Sequence, residues 1–362
     1  MVVLGGFNLA RIAGGIDGIW KKQERGKNVV LIPLFLLDIP LIRHLLLSIQ
    51  QFLMGVMVLK GEKIDLLYCP TPMSPPAVLL KKLFHLPLMV KVQGDSAFKL
   101  YRVKGKRLSA FLNMASERLT LRAADVVLPM SSFTAQYAIR HGADPKRTSI
   151  QPFKILDLNW MAAADGRAIR THYGIALDAP IVLCIARLSS EKGLEYLIRA
   201  SSAVADQIPN MRLVIVGDGP LREGLVSLVR SLNLSEKVFF AGKVGHREVW
   251  NYIASCNLLV LPSIWPEGLG MVLVEAMLMG KPVIGSDIGG IKDVIKEGIN
   301  GYLVPPKDID KLALRISELL SNQRLAKNFG ENGKNIAQAY IRSFRTIDEI
   351  LAEANRRLKT RL

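Results

Sequence analysis

Two glutamates eight positions apart frame the stretch of this chain best suited to chemistry, S-I-W-P-E-G-L-G-M-V-L-V-E-A-M-L-M-G-K-P-V-I-G-S-D, from Ser263 to Asp287. Glu267 stands in a turn rich in proline and glycine, where the backbone can approach a ligand closely. Glu275 is the one charged residue in an apolar and small-residue helical run from Gly270 to Gly280. A helix that is apolar all round is a buried helix, and a lone buried carboxylate is costly unless a polar group meets it. The start of the same helix offers free N–H groups and the positive end of the dipole, which together attract anions. Glu275 lies about 7 Å beyond Gly270 along the axis, at roughly 1.5 Å per residue. That is close to the offset between a diphosphate and the sugar hydroxyls attached to it. A nucleoside-diphosphate site is the first expectation.

Arg187 and Lys192, in A-R-L-S-S-E-K-G, add a guanidinium fork and an ammonium point charge that could clamp a diphosphate. Taken alone they also describe an ordinary solvated helix start. Gly217-Asp218-Gly219 begins a dinucleotide fingerprint, but Arg222 occupies the final glycine position. It reads as a tight strand-to-helix turn. Asp308-Ile309-Asp310 spells an acidic D-x-D, yet it follows Pro305-Pro306 and opens a helix, where acids suit the dipole. We read it as a cap and expect no metal and no cofactor. Gln93-Gly94-Asp95 follows the strand Leu88–Val92 and either touches donor or acceptor sugar or forms a turn with Asp95 as its cap.

These residues need elements to position them. The second half alternates strands (Ile181–Ala186, Arg212–Val216, Val238–Ala241, Leu258–Leu261, Pro282–Gly285, Tyr302–Val304) with helical patterns. Such alternation predicts a parallel sheet covered on both faces, with ligands at the carboxyl ends of the strands. Every motif of the second half falls at that end. The first half alternates less cleanly, with strands at Val29–Leu36, Ile64–Tyr68, Leu88–Val92, Val126–Leu128 and Ser149–Gln151. The segment Asp157–Ala179 carries no strand pattern and reads as a linker.

A chain of 362 residues is long enough for two domains. The formal charge of +17 is uneven, with 22 basic against 10 acidic residues in 1–160 and 26 against 21 after them. That excess suits phosphorylated substrates or an anionic membrane surface. A nucleic-acid partner is not expected, because no basic stripe is interleaved with aromatics. Cys69, Cys184 and Cys256 are too widely spaced for a zinc site or disulfide framework and fit a reducing compartment. The longest apolar run, Leu31 to Leu59, is broken by Asp38, Pro40, Arg43 and His44, so no membrane span is expected. The expected location is cytoplasmic, either soluble or peripheral on the inner face of the membrane.

The block P-S-I-W-P-E-G-L-G-M-V-L-V-E-A-M-L-M-G-K-P-V-I resembles the E-x7-E signature of retaining glycosyltransferases of family 4, which have the GT-B fold. A-R-L-S-S-E-K-G-L-E-Y-L-I, V-I-V-G-D-G-P-L and G-G-I-K-D-V-I-K-E-G-I-N-G-Y-L-V-P-P-K-D are similar to further blocks of that family. The resemblance implies an α/β architecture of two Rossmann-like parallel-sheet domains facing a cleft. An N-terminal acceptor-side domain would span 1–160 and a C-terminal donor domain 161–340, and a helix over 341–362 would pack back on the first. It implies that Arg187 and Lys192 bind the donor diphosphate, that Glu267 meets the donor sugar and that Glu275 binds the ribose hydroxyls. Backbone from Gly268 through Leu269, Gly270 and Met271 to Val272 would meet the phosphates.

The implied activity is transfer of a sugar from a nucleotide sugar to a hydroxyl of a glycan or lipid-linked acceptor, with retention and without metal, in cell-envelope polysaccharide or glycolipid synthesis. Two departures stand out. Gln93-Gly94 replaces the family's H-G, and the start is short. Met1–Leu4 before Gly5-Gly6 is either a stunted version of the usual strand and glycine loop or already the second strand. The short distance to Ile64 favours the second strand, which would make the chain N-terminally truncated. The alternatives are a degenerate, non-catalytic sugar-nucleotide-binding protein and a nucleotide-sugar epimerase on the same scaffold.

Overall fold

The computed structural model describes residues 2–3, 20–24, 27–31, 49, 51–57, 59–60, 64–94, 107–151, 158–346, 349–350 and 352. The chain divides into two compact units, one formed by 1–151 with 345–362 and the other by 152–344.

The first unit holds a sheet of β1 (Val2–Val3), β2 (Trp20–Glu24), β3 (Lys27–Leu31), β4 (Leu67–Cys69), β5 (Leu88–Val92) and β6 (Val126–Pro129), in the order β2-β3-β1-β4-β5-β6. All neighbours are parallel except the β2-β3 hairpin. One face is covered by a helix seen at 49, 51–57 and 59–60 (α1), by α2 (Pro75–Phe84), α3 (Arg107–Ala123) and α4 (Ser132–Arg140). Leu67, Val90 and Val127 of the strands pack there on Leu80, Leu121 and Tyr137 of the helices. Leu66, Met89 and Leu128 form the other face and meet Ile350, so the chain end belongs to this unit. Gln151 Nε2 donates to the Arg345 carbonyl at 2.5 Å. Both faces are apolar, which is why the strands read as continuous hydrophobic runs.

Val2–Val3 pairs with β3 on one side and β4 on the other. That places Val2–Val3 in the interior of the sheet. Gly5-Gly6 lies outside the described residues, as does the Arg43–His44 break in the apolar run.

The second unit carries β7 (Ile181–Ile185), β8 (Arg212–Val216), β9 (Val238–Gly242), β10 (Leu258–Leu261), β11 (Val283–Ser286) and β12 (Gly301–Val304). Their order is β12-β11-β10-β7-β8-β9, parallel throughout. The order reverses between β7 and β10, the topological switch point at which such sheets open a crevice.

Its helices are α5 (Leu158–Ala162), α6 (Gly166–His172), α7 (Leu194–Gln207), α8 (Arg222–Ser231), α9 (His246–Ser255), α10 (Met271–Leu278), α11 (Ile291–Val294), α12 (Ile309–Ser321) and α13 (Gln323–Arg342). The stretch expected to be a linker folds as α5 and α6 against α9. Arg170 anchors it, donating to the carbonyls of Ala176 and Ala179 at 2.8 Å and of Ser255 at 3.0 Å. Helices of five and seven residues are too short to show a helical period in the sequence.

All three cysteines are buried, and burial pushes their thiols up, Cys69 and Cys184 to about 12. They are packing residues. Among the described residues no helix is long and apolar enough to cross a membrane.

Candidate active site

The loops after β7 and β10 flank the switch point and carry most of the residues singled out above. The β7 loop leaves Ile185, turns through a 3-10 segment at Ser190–Lys192 and enters α7 at Gly193, which has φ +63°. A Cβ on Gly193 would lie 2.2 Å from the Pro262 carbonyl oxygen. Only glycine lets the two loops meet. Ile264 N–H also donates to the Glu191 carbonyl at 3.0 Å, a second tie between them. The third loop, Gly217-Asp218-Gly219, joins through Leu188 N–H, which donates to the Asp218 carbonyl at 3.0 Å. It is the tight turn expected from the incomplete fingerprint.

Within this frame the charged side chains fall into two groups. Arg187 donates through Nε to Ser189 Oγ at 3.2 Å and through Nη2 to the nearly buried carboxylate of Glu191. The Arg187 side chain as a whole stays 55% exposed. Lys192 Nζ donates to Glu267 Oε1 at 2.5 Å, and Ser263 Oγ reaches the same oxygen at 2.5 Å. Lys192 comes from the β7 loop and Glu267 from the β10 loop, so the pair bridges the switch point.

Beyond Glu267 the backbone is pinned by the loop after β11. Gly290 N–H donates to the Glu267 carbonyl at 2.8 Å, and a Cβ on Gly290 would stand 2.2 Å from the Gly268 carbonyl oxygen. Leu269 is buried, while Gly268, Gly270, Met271 and Val272 are half-buried. Gly270 caps α10 with φ +89° and no side chain, leaving the first N–H groups of the helix for a ligand. Glu275 is the fifth residue of α10. Burial alone pushes its carboxyl up to about 7. Among the described residues no hydrogen bond or ion pair reaches it. An unmet carboxylate in a helix with five buried residues could accept from hydroxyl donors of a ligand.

Thus Arg187, Lys192, Glu267, Glu275 and the backbone of Gly268 to Val272 share one sheet edge of the second unit. Gln93 and Gly94 lie at the carboxyl end of β5 in the first unit, Gln93 exposed and Gly94 with no atom within 4 Å of a built Cβ. Asp95 lies outside the described residues. Asp308 Oδ1 accepts from Lys311 N–H at 2.9 Å and caps α12, as its position predicts. Among the described residues no cluster of His, Cys, Asp and Glu could hold a metal. The sequence reading missed Ser263, Glu191 and Gly289-Gly290. The glycine doublet was a visible sign of close backbone approach.

A depression of about 470 Å³ opens at the opposite, amino end of the strands, lined by Asp178, Asn210 and Asn257. Ligands of doubly wound sheets bind at the carboxyl end, so its size does not make it the site.

The comparisons with known proteins agree with this geometry. Residues 165–336 match the family model "Glycosyl transferases group 1", and residues 30–153 match "Glycosyl transferase 4-like domain". An α-D-kanosaminyltransferase of Streptomyces kanamyceticus is 29% identical over 72% of this chain and 68% of its own length. A GDP-mannose-dependent α-(1-6)-phosphatidylinositol monomannoside mannosyltransferase of Mycolicibacterium smegmatis is 31% identical over 59% of this chain and 58% of its own. The chain thus spans between about half and two thirds of the length of the curated relatives it matches.

Among solved structures, the Anabaena protein HepE in complex with UDP superposes with a TM-score of 0.70, at 22% identity over 92% of this chain and 85% of that one. Sucrose-phosphate synthase from Thermosynechococcus elongatus gives 0.75, at 22% identity over 96% and 86%. Two Rossmann-like halves with these structural neighbours define the GT-B fold. The chain belongs to the glycosyltransferases of the family 4 type.

Proposed function

We propose that this protein transfers a sugar from a nucleoside-diphosphate donor to an acceptor hydroxyl with retention of anomeric configuration and without a metal ion. The observation that carries the reading is the bridge between Lys192 and Glu267 across the switch point, with Arg187 exposed beside it. Arg187 and Lys192 would bind the diphosphate and stabilise the charge that develops on it, the role a metal ion serves elsewhere. Glu267 would release Lys192 to the phosphates and turn to the donor sugar. Glu275 would accept the ribose hydroxyls, and backbone from Gly268 to Val272 would donate to the phosphates.

In the reaction the bond between the anomeric carbon and the diphosphate oxygen breaks, and the acceptor oxygen bonds that carbon on the same face. The acceptor proton passes to the departing diphosphate oxygen, so the protein supplies position and charge rather than a base. Gln93 and Gly94 belong to the acceptor side in this reading. The HepE complexes with UDP and with UDP-glucose support a sugar-nucleotide donor. The mannosyltransferase named for phosphatidylinositol monomannoside supports a lipid-linked or cell-envelope acceptor.

The test is incubation of the chain with a panel of sugar nucleotides and glycan or lipid-linked acceptors in excess chelator, followed by proton NMR of the product. A product with the donor's anomeric configuration, formed at an undiminished rate in chelator, is expected. An inverted product or chelator-sensitive turnover contradicts the mechanism. Tight donor binding with no transfer to any acceptor favours the non-catalytic alternative.

A further inference from the structure

The depression at the amino end of the second unit's sheet lies opposite the loops assigned to the donor. Its volume of about 470 Å³ is nevertheless that of a small-molecule site, which runs from roughly 300 to 1,000 Å³. It opens where β7, β8 and β10 begin and where α12 gives way to α13. Pro180, Ile208, Leu319, Leu320 and Ala326 are buried or half-buried and make an aliphatic floor. Asp178, Asn210, Asn257, Ser321 and Gln323 are exposed and make a polar rim.

The rim is partly set by the protein. Asn257 Oδ1 accepts from Ile181 N–H at 2.8 Å and from Arg170 Nη2 at 3.3 Å. Both partners are donors, so they fix the oxygen inward and leave the Nδ2 of the same amide to the depression. Among the described residues the side chains of Asp178, Asn210, Ser321 and Gln323 form no hydrogen bond. Leu319, Leu320 and Ser321 end α12, and the last carbonyls of a helix have no partner within it. The rim therefore offers amide and hydroxyl donors beside carboxylate and carbonyl acceptors.

Its charge narrows the ligand. Among the described residues lining the depression there is no Lys, Arg or His. One carboxylate and the negative end of the α12 dipole disfavour phosphates and other anions there. Among the described residues no cluster could hold a metal. A neutral, hydroxyl-rich molecule suits what is left. A pyranose lays its C–H face on aliphatic groups, and its hydroxyls both donate and accept, as amides and carbonyls require.

We propose that this depression is a second ligand site, which takes a short neutral saccharide. The inference is independent of the transfer reaction, and binding is read without nucleotide.

The test titrates the full chain with neutral trisaccharides of glucose, of mannose and of N-acetylglucosamine, followed by saturation-transfer NMR. Asn210→Ala/Gln323→Ala and Ser321→Arg alter the rim at exposed positions, and Lys192→Ala alters the donor edge. Wild type should bind at least one trisaccharide with a Kd of about 1 mM or below. Lys192→Ala should bind it equally, and each rim variant at least about tenfold more weakly while melting as wild type does. Binding of none of the three, undiminished binding by either rim variant, or a loss confined to Lys192→Ala overturns the proposal. Inorganic phosphate that displaces the trisaccharide overturns the neutral class. A wild-type dimer in sedimentation velocity that Ser321→Arg dissociates, without saccharide binding, assigns the depression to a second copy of the chain and overturns it equally.

Discussion

At the carboxyl ends of β7 and β10 the loops hold one another through backbone: Gly193 lies under the Pro262 carbonyl, and Gly290 under that of Gly268. At the corresponding end of β5, Gln93 is exposed and a Cβ built on Gly94 would meet nothing within 4 Å. A diphosphate is common to all nucleoside-diphosphate sugars and can be met by fixed backbone and two cations. An acceptor varies from one transferase to another, and Gln93 and Gly94 show no such close approach of backbone.

Gly193→Ala is the strongest way to break this contrast. At φ +63°, with a carbonyl oxygen 2.2 Å from the added carbon, the loops must part. The expected loss is about 3 kcal/mol or more, a fall in melting temperature of roughly 6–12 °C. Unchanged melting would mean that the loops are not fixed through this contact.

Glu275→Gln sharpens the contrast from the other direction. The carboxyl titrates at about 7 rather than at its ordinary 4.5 because burial disfavours its charge. Its favourable contribution is therefore full below 4.5 and is lost as pH rises through 7. Glutamine lacks that loss. The variant should match wild type at pH 5 and exceed it at pH 8, by up to about 3 kcal/mol, in denaturant titrations. A constant difference across that range would show that Glu275 is not held in this state. The same variant should bind donor more weakly, which marks a group built for a ligand rather than for stability.

Smaller still is Glu191→Gln, which keeps a hydrogen-bond acceptor for Arg187 but removes the charge. Donor KM should rise about five- to tenfold with kcat little changed. An equal fall in kcat and kcat/KM would place Glu191 in the transition state instead. Gln93→Ala should alter stability by no more than about 0.5 kcal/mol, and a larger loss would show that the β5 loop is tied after all.

Much of the second unit was legible because its strands are short apolar runs between glycine-rich turns. Leu258–Leu261 was delimited from sequence as it stands in the structure. Glu275 stood out because its helix offered no other polar residue, and the structure leaves it unmet. Where the pattern was weak the reading slipped. The strand expected at Ile64–Tyr68 runs from Leu67 to Cys69, since flanking apolar residues extend the run without pairing. The β2 hairpin strand W-K-K-Q-E shows no alternation at all. Ser263 and Glu191 were missed for a different reason: each matters only because a residue distant in sequence, or one turn away, is brought to it by the loops.

The central claim is that the β7 and β10 loops bind a sugar-nucleotide diphosphate through Lys192 and Arg187. Isothermal titration of the wild-type chain and of Lys192→Ala with UDP- and GDP-sugars tests it most directly. Wild type should bind at least one of them, and the variant should bind it about thirty- to a hundredfold more weakly, the loss of one charge-assisted contact to phosphate. Equal affinity in the two proteins would contradict the assignment.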